Sequence, residues 1–499
     1  MHSVIWLTEH AGQRWESTRE VNEYDLVVIG AGSAGVWAAP FAARLGARVA
    51  LVEKDRIGGD CTNYACVPSK ALLKAASVAW HLRTADRFGF DSAEPGFLLK
   101  PDLGRVMAGV REAIERVYAF ETPEALAQAG VDVVMGVARF EDAHTVRVGA
   151  DTQLRARHVL ICTGARPAVP PIPGLEHAPY WTYQTIWQQN RLPHRLLVIG
   201  SGAVGLEMAQ AFGRLGSDVT VFETLDSVLP TADLEASAVL KQVLEAEGMR
   251  FRLGARIERI EASEGSIRVM DRVEQIEGDA LLVAVGRRPA VDGMDLERAG
   301  VGYSERGIEV DEHLRTRQKH IYACGDVIGS FQFTHYAAWQ ASMAVRTMLF
   351  PGSSSGVRSH IPWTVFTDPE VAQCGLSEAE ARKRVSKPDE VRAARWSLER
   401  VDRAVTDQDL SGFIKVVYRS NGKLLGAQIV AARAGEIIHE FALAIDWNIR
   451  LGDLASSIHA YPTYATGVQQ LAAEVRIQSV MRSRVLKLAR GLVSIGGSS

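Results

Sequence analysis

The sequence has few cysteines, no long apolar run and little net charge. Five cysteines in 499 residues are too few for a disulfide-stabilised scaffold, and their number is odd. No segment approaches the roughly 18 to 20 consecutive apolar residues that a membrane-spanning helix needs. The formal net charge of −3 gives no electrostatic reason for a nucleic-acid partner. We therefore expect a cytoplasmic protein, without a nucleic-acid partner, whose thiols stay mostly reduced.

The chain is longer than a single hydrophobic core usually supports, so we expect several domains. Residues 1–23 mix apolar and charged positions and lack the continuous apolar core of a signal peptide. We interpret them as an N-terminal extension, and the regular patterning of the chain starts after it.

A strand, a glycine-rich turn, an alanine-rich helix and a second strand follow one another from Tyr24. The three turn glycines are Gly30, Gly32 and Gly35. The first permits a tight turn, the second leaves room for a pyrophosphate, and the third lets the helix pack against the strand. Glu53 ends the second strand, where a carboxylate accepts hydrogen bonds from ribose hydroxyls. This combination predicts a dinucleotide site.

The same pattern returns with Gly200, Gly202 and Gly205, and its acidic strand end is Glu223. Two complete units predict two bound dinucleotides, as hydride transfer between a nicotinamide and a flavin requires. A carboxylate at Glu223 favours the free 2′-hydroxyl of NADH and repels the 2′-phosphate of NADPH. NADH is therefore the expected donor, and a nearby arginine or lysine would admit NADPH.

The segments around these units mark domain crossings. Thr163 and Gly164 follow an apolar strand and precede a proline-rich stretch, and Gly286 follows the last strand of the second unit. The composition of residues 351–356, PGSSSG, predicts a flexible linker. Two β-rich runs around Asn421-Gly422 then predict a hairpin, so we expect a third domain of α+β type.

Two cysteines, Cys61 and Cys66, lie close together in the segment IGGDCTNYACVPSKALL. They fit a redox-active pair, buried structural thiols or half of a metal site. A structural zinc site needs two further ligands, and no second Cys or His pair lies nearby, so no metal site is predicted. Cys162, Cys324 and Cys374 each occur singly, which predicts ordinary core or surface thiols.

The motif GGDCTNYACVPSK, together with two dinucleotide units and YACGDV, resembles the pyridine-nucleotide disulfide oxidoreductases. That family includes glutathione reductase, dihydrolipoamide dehydrogenase and mercuric reductase, and the resemblance covers nearly all of the chain from about residue 24. It implies an α/β fold with two Rossmann-like domains, for FAD and NAD(P), and a C-terminal α+β dimerisation domain. The implied limits are 24–168 and 286–352 for FAD, 169–285 for NAD(P), 353–475 for dimerisation, and 476–499 for a basic tail.

The resemblance also implies residue roles. Cys61 is expected to be the interchange thiol that meets the substrate, and Cys66 the thiol that contacts the flavin. Lys70 is expected near the reactive nitrogen of the flavin, paired with Glu207, and Asp326 at the ribityl chain. A nearby cation and a helix N-terminus would lower a thiol pKa from its usual value near 8.5.

The chain departs from the thiol-reducing members near its C-terminus. Those members carry His-Pro-Thr followed by Glu, whereas this chain reads HAYPTYATG, with Tyr461 at the histidine position and Thr466 at the glutamate position. A phenol with a pKa near 10 donates a proton to a leaving thiolate but is a poor base at pH 7. His459 is a second candidate for proton transfer, and a structural histidine is the alternative interpretation.

Tyrosine at this position is similar to mercuric reductases. Those enzymes also carry a cysteine pair at the extreme C-terminus, whereas here no cysteine follows Cys374, and we find no N-terminal metal-binding module. The tail 476–499 is basic, with Arg476, Arg482, Arg484, Lys487 and Arg490 and no acidic residue. It predicts an amphipathic helix that either touches an anionic membrane surface or is solvated beside the dimer interface.

These observations predict a homodimeric FAD enzyme with active sites shared between subunits. NADH would reduce the flavin, the flavin would reduce the Cys61–Cys66 pair, and Cys61 would attack a small disulfide or soft electrophile. One alternative is a mercuric-type metal-ion or quinone reductase. Another is a non-catalytic flavoprotein whose redox state controls binding to a partner or membrane.

Overall fold

The computed structural model describes residues 23–90, 101–352 and 354–482. Alternating strands and helices fill the first part of the chain. The strands are β1 (Glu23–Ile29), β2 (Val49–Glu53), β3 (Val131–Met135), β4 (Ala138–Phe140), β5 (Thr145–Val148), β6 (Thr152–Ile161) and β7 (Ala165–Pro167). The helices are α1 (Gly35–Arg44), α2 (Gly59–Asn63), α3 (Cys66–Arg83), α4 (Leu103–Tyr118) and α5 (Pro123–Gln128).

A parallel sheet in the order β3-β2-β1-β6 forms the centre of this first unit. Its central strands β1 and β2 are buried almost throughout, as parallel strands covered by helices require. The first half of β6 pairs with β5 in an antiparallel direction, and β5 pairs with β4. The β1–α1–β2 succession is the unit predicted from the first three glycines.

A second parallel sheet follows, in the order β10-β9-β8-β14. Its members are β8 (Arg195–Ile199), β9 (Asp218–Phe222), β10 (Arg250–Arg252) and β14 (Ala280–Val283), with helices α6 (Ala203–Leu215) and α7 (Leu234–Ala246). An antiparallel sheet of β11 (Ile257–Ser263), β12 (Ser266–Asp271) and β13 (Gln275–Gly278) lies between β10 and β14 in the chain.

The chain then returns to the first sheet. This segment contains β15 (Arg287–Pro289), β16 (Tyr303–Ser304), β17 (Gly307–Ile308), β18 (Ile321–Ala323) and α8 (Thr334–Leu349). Strand β15 pairs antiparallel with β7, and β18 pairs parallel with the end of β6. The first sheet is thus built from two segments of the chain, with the second parallel sheet between them in sequence.

The C-terminal part is an antiparallel sheet with helices. Its elements are β19 (Trp363–Val365), β20 (Glu370–Gly375), α9 (Glu378–Arg384), β21 (Val391–Ser397), α10 (Asp402–Asp407), β22 (Phe413–Arg419), β23 (Leu424–Ala431), α11 (Ala434–Asp446), α12 (Leu451–Leu454) and α13 (Thr466–Arg482). The strand order is β19-β20-β23-β22-β21. The predicted hairpin at Asn421-Gly422 is confirmed as the β22–β23 turn, and the predicted fold class is confirmed. The domain limits stay predictions.

The predicted flexible linker at 351–356 is wrong for its described residues. The backbone N–H of Ser354 donates to Thr347 Oγ1 at 3.2 Å, and the N–H of Gly356 donates to the carbonyl oxygen of Glu312 at 2.8 Å. Gln340 Nε2 also donates to the carbonyl oxygen of Gly356 at 3.1 Å. These bonds fasten the segment to α8 and its surroundings, which composition alone does not reveal.

Both chain ends lie mostly outside the described residues. This applies to 1–22 of the predicted extension and to 483–499 of the basic tail. Residues 476–482 form the last turns of α13, where Arg476 Nη1 donates to Ser456 Oγ at 2.6 Å. Within 23–90, 101–352 and 354–482, no helix is long and apolar enough to cross a membrane.

Helix α6 connects the three units through one polar stripe. Arg214 is buried and binds Glu247 at 2.5 Å and Asp368 at 2.8 Å, and its guanidinium lies 5.0 Å from the ring centre of Trp80 on α3. One turn earlier, Gln210 accepts from the backbone N–H of Asp368 and donates to its carbonyl oxygen. The stripe fixes α6 against both α3 and the C-terminal sheet.

Replacing Arg214 with methionine should lower the stability of the protein strongly. The Glu247 carboxylate would lose its charged partner while it stays buried and keep only the hydrogen bond from Gln210, which costs about 3 to 5 kcal/mol. Arg116→Met is the control, because Arg116 and Glu112 form an exposed pair on α4 worth less than about 1 kcal/mol. Thermal unfolding of both variants checks this, and equal melting temperatures would contradict it.

Candidate active site

A cavity of about 1020 Å³ is lined by side chains from all three units. It brings together many of the residues predicted from the sequence: Gly30, Gly32, Glu53, Cys61, Cys66, Lys70, Thr163, Gly164, Glu207 and Asp326. The remaining predicted residues do not line it: Gly35, Gly200, Gly202, Gly205, Glu223, Gly286, His459 and Tyr461.

The first glycine turn forms one wall of this cavity. Gly30 has a φ of +99°, and a side chain there would collide with the carbonyl oxygen of Cys162. An added Cβ at Gly32 would meet nothing closer than 3.9 Å, so the backbone is open to a ligand at that point. Glu53 Oε2 accepts from the backbone N–H of Ala31 at 2.7 Å, which fixes the carboxylate at the strand end. These features fit the adenosine and pyrophosphate parts of FAD.

The second glycine turn is built in the same way, away from the main cavity. Glu223 accepts hydrogen bonds from Ser201 N–H at 2.9 Å and Ser201 Oγ at 2.8 Å, and its other oxygen accepts from Leu225 N–H at 3.0 Å. Burial acts to raise the pKa of Glu223, but these hydrogen bonds outweigh it, so the pKa lies below its usual range. The carboxylate is therefore charged at neutral pH.

The two cysteines lie on two helices that follow one another in the chain. Cys61 lies in α2 and is buried, whereas Cys66 is the first residue of α3. The Cys66 sulfur lies 3.3 Å from Thr334 Oγ1, a residue 268 positions later. The hydrogen bond with Cys61 lowers the pKa of Cys66 to about 6, helped by Thr334 and the charges of Lys70 and Arg287 against the effect of burial. The pKa of Cys61 is raised by its hydrogen bond with Cys66, then by burial. A reduced pair therefore holds its negative charge on Cys66.

Lys70 is held on the cysteine side of the cavity. Its Nζ lies 2.8 Å from Glu207 Oε2 and 4.4 Å from the ring centre of Phe366. The other oxygen of Glu207 accepts from the backbone N–H of Phe366 at 2.9 Å. Glu207 is buried, and each of its carboxylate oxygens has a partner: the ammonium group of Lys70 and the backbone N–H of Phe366. This arrangement holds the ammonium group in place near Cys66.

Several cavity residues carry no recognisable sequence signal. Arg287 Nη1 lies 2.9 Å from Asp326 Oδ2, where burial raises the pKa of the carboxyl and the arginine opposes that effect. Asp60, next to Cys61, accepts from Tyr183 Oη at 2.6 Å and from Gln184 Nε2 at 3.1 Å. Two adjacent arginines follow Gly286 in the sequence, but their spacing alone does not predict a cation beside Asp326.

The predicted single thiols Cys162 and Cys324 are in fact neighbours. Their sulfur atoms are 3.6 Å apart, and both residues are buried and line the cavity. All three remaining cysteines are free and buried, as expected of core thiols, but the sequence did not predict that two of them are neighbours, because these two belong to segments far apart in the chain. Cys374 is buried elsewhere, in β20.

Neither Tyr461 nor His459 lines the cavity of its own chain, and the two side chains contact different elements. Tyr461 Oη donates to Asp402 Oδ2 at 2.9 Å, and this hydrogen bond raises the pKa of the phenol. His459 Nε2 lies 3.1 Å from both oxygens of Glu440, and Nδ1 lies 3.1 Å from the carbonyl oxygen of Ser457. With both ring nitrogens facing acceptors, His459 has no free nitrogen to take a proton from a substrate.

Comparison with known proteins gives consistent matches along the chain. Residues 24–341 match the model of the pyridine nucleotide-disulphide oxidoreductases, and residues 361–472 match the dimerisation domain of that family. A dihydrolipoyl dehydrogenase of Thermus scotoductus is 35% identical over 473 residues, covering 92% of this chain and 98% of the relative. A mercuric reductase of Acidithiobacillus ferrooxidans is 36% identical over 474 residues, covering 93% and 84%.

Solved structures agree with these matches. A Cu(II) complex of RclA, an HOCl-induced flavoprotein disulfide reductase of Escherichia coli, is similar with a TM-score of 0.82 and 28% identity, covering 91% of this chain and all of that one. LpdA of Mycobacterium tuberculosis gives a TM-score of 0.83 at 28% identity, with the same coverage. The chain therefore belongs to the pyridine nucleotide-disulphide oxidoreductase family, and it is an FAD-dependent enzyme that passes electrons from NAD(P)H to a disulfide.

Proposed function

We propose that this enzyme uses NADH to reduce a small disulfide or another soft electrophile at Cys61. The observation that carries the proposal is the placement of Cys61, Cys66 and Lys70 in one cavity with the first glycine turn. A dithiol beside a fixed cation, within reach of a dinucleotide site, is an arrangement for thiol–disulfide exchange.

The residues that would hold FAD are Gly30, Gly32 and Glu53 at the adenosine end and Asp326 at the ribityl chain. When bound, FAD accepts a hydride from the nicotinamide and delivers an electron pair to the cysteine disulfide. Arg287 balances the charge of Asp326, so a buried carboxylate is retained where a ribityl hydroxyl would donate to it.

The reduced cysteines can then act in sequence. Cys61 passes its proton to the Cys66 thiolate and attacks one sulfur of the substrate disulfide, so that a mixed disulfide forms and one substrate thiolate leaves. Once Cys66 has lost that proton again, its thiolate attacks Cys61 and releases the second substrate thiolate. Two protons taken up by the leaving thiolates complete the balance: one disulfide is reduced and Cys61–Cys66 is oxidised. Lys70 and Thr334 favour loss of this proton from Cys66, so that its thiolate is restored for the second attack.

A tyrosine in place of the family histidine favours this direction. The hydrogen bond to Asp402 raises the pKa of Tyr461, so the phenol remains protonated, and it could donate to a substrate thiolate by exchanging that hydrogen bond. Donation helps a substrate thiolate to leave, whereas oxidation of a dithiol substrate needs a base. We therefore propose reduction of the acceptor as the physiological direction, with Tyr461 contributed by the partner of a homodimer.

The C-terminal unit has a surface for such self-association. Large apolar side chains are exposed on it, namely Leu443, Trp447, Ile458 and Tyr461. Trp447 is 75% exposed and Ile458 99% exposed, which is uncommon for side chains that remain in water. They lie within the segment that matches the dimerisation domain of the family.

A second candidate is reduction of a soft metal ion. It is favoured by the Cu(II) complex of RclA and by the mercuric reductases among the relatives. Among the residues that the structure describes, no group of three or more His, Cys, Asp or Glu side chains could hold a metal. We therefore expect a metal substrate to be met by the sulfur atoms of Cys61 and Cys66 without a third such ligand grouped with them among the described residues.

Acceptor specificity should depend on Cys61. With NADH as donor, Cys61→Ser should lose at least about a hundredfold in kcat/KM for disulfides, because the attacking sulfur is gone. The measurement compares small disulfides, cupric and mercuric ions, and quinones, with Cys374→Ala as the control. Disulfide turnover that survives Cys61→Ser would contradict the proposal. Turnover only with metal ions would favour the second candidate, and turnover only with quinones would reject both.

The thiolate on Cys66 should appear with a midpoint near pH 6. Above that pH, enzyme reduced anaerobically with NADH should show the long-wavelength absorbance of a thiolate against a flavin, and the band should fade as the pH falls. Lys70→Met should move the midpoint upwards by about one unit, because a positive charge beside the thiolate is lost. Lys74→Met, an exposed lysine on the same helix, should leave it unchanged. A band that survives Cys66→Ser would contradict this assignment.

Discrimination between NADH and NADPH should depend on the charge of Glu223. Glu223→Gln retains an oxygen that can accept from the backbone N–H of Ser201 but no longer repels a 2′-phosphate. The kcat/KM for NADPH should rise about tenfold relative to that for NADH, which corresponds to about 1.4 kcal/mol. The control is Glu258→Gln, an exposed carboxylate on β11. An unchanged ratio would show that another residue selects the donor.

A further inference from the structure

A second pair of cysteines lies at the floor of the cavity. Cys162 follows β6 and Cys324 follows β18, two strands that pair in parallel. Their sulfur atoms are 3.6 Å apart, which is a contact distance, although 162 residues separate them in the chain. Both residues are at most 5% exposed. The reactions assigned to Cys61 and Cys66 make no use of this pair.

The backbone places the pair within bonding reach. Ala323 is the register partner of Ile161, and the N–H of Cys324 donates to the carbonyl oxygen of Ile161 at 3.1 Å. The two cysteines are the next residue of each strand and therefore lie side by side. Paired strands lie about 4.8 Å apart, within the range of roughly 4.4 to 6.8 Å between Cα atoms that a disulfide allows. A rotation of the side chains would bring the sulfurs from contact to the bonded distance of about 2.05 Å.

The surroundings of these two thiols are apolar. Cys162 and Cys324 face each other, and their environment is the apolar core between β6, β18 and α8. Burial raises the pKa of the Cys162 thiol well above its usual value, so spontaneous attack on an oxidant is slow. Both residues nevertheless line the cavity.

We propose that Cys162 and Cys324 are a second redox pair, which a hydroperoxide closes into a disulfide between the two segments of the first sheet. The sulfur of one cysteine displaces an alcohol or water from the hydroperoxide and becomes a sulfenic acid. The thiol of the other cysteine attacks that sulfur and releases water, so two thiols and one hydroperoxide give one disulfide. The cross-link joins β6 directly to β18 and encloses the whole of the intervening second unit.

This disulfide would hold the returning segment on the first sheet. In the reduced protein, β18 is attached to β6 over three register pairs only. Asp326, which is expected to contact the ribityl chain, lies two residues after Cys324, and Thr163 directly follows Cys162. Closing the pair would therefore fasten both edges of the FAD site under oxidising conditions, independently of catalysis at Cys61.

The test uses the full-length, FAD-loaded protein with Cys61→Ser and Cys66→Ser, so that only three cysteines remain. The protein is treated with hydrogen peroxide, unreacted thiols are alkylated under denaturing conditions, and peptides are analysed by mass spectrometry. We expect one cross-linked peptide pair containing Cys162 and Cys324, reversible by dithiothreitol, and a melting temperature raised by roughly a few degrees.

Two further variants in this background make the outcome decisive. Cys324→Ala should abolish both the cross-link and the rise in melting temperature, whereas Cys374→Ala should leave both unchanged. Free, alkylated Cys162 and Cys324 after treatment would overturn the proposal. Oxidation of Cys162 to a sulfinic acid without a cross-link, or a cross-link through Cys374, would overturn it as well.

Discussion

One buried carboxylate connects the parts of this enzyme that carry out its chemistry. Glu207 lies on α6 of the second unit, binds Lys70 on α3 of the first unit, and accepts from the backbone N–H of Phe366, directly after β19 of the C-terminal sheet. A buried charge without partners is expensive, so these two contacts depend on one another. Further along the same helix, Gln210 and Arg214 fasten α6 to the same loop. The position of the ammonium group beside Cys66 thus depends on the packing of all three units.

The charge distribution around the cysteines follows from that position. Cys66 has a helix N-terminus, a hydroxyl group and two cations in its surroundings, whereas Cys61 is buried and hydrogen-bonded to Cys66. Negative charge therefore accumulates on Cys66, which leaves Cys61 for the proposed attack on a substrate. The same principle acts in the glycine turns, where Glu53 and Glu223 each accept from the backbone N–H that follows the first glycine.

Proton transfer is where this chain differs from its thiol-reducing relatives. A histidine–glutamate pair does exist, but His459 and Glu440 bind each other outside the cavity, and the second ring nitrogen is also engaged. Tyr461 carries a phenol that a neighbouring carboxylate keeps protonated. Among the described residues at this end, the phenol stays protonated and both ring nitrogens of His459 are engaged, which supports the proposed direction, reduction of the acceptor.

Local sequence determined much of this protein. Glycine spacing, flanking apolar strands and acidic strand ends predicted both parallel units, because each is built from contiguous residues whose conformation depends on near neighbours. That Cys61, Cys66 and Lys70 lie close together could be predicted for the same reason, since α2 and α3 are adjacent in the chain. The hairpin at Asn421-Gly422 needed only its turn residues.

Tertiary structure alone decided the contacts between distant segments. Thr334 reaches Cys66 across 268 residues, Arg287 meets Asp326 where the chain crosses back, and Cys324 lies against Cys162 because β18 returns to β6. None of these pairs leaves a periodic or spaced pattern in the sequence, since the return of the chain to the first sheet creates them. The PGSSSG segment shows the same limit: its composition indicates flexibility, but hydrogen bonds from residues brought beside it by folding hold its described residues in place.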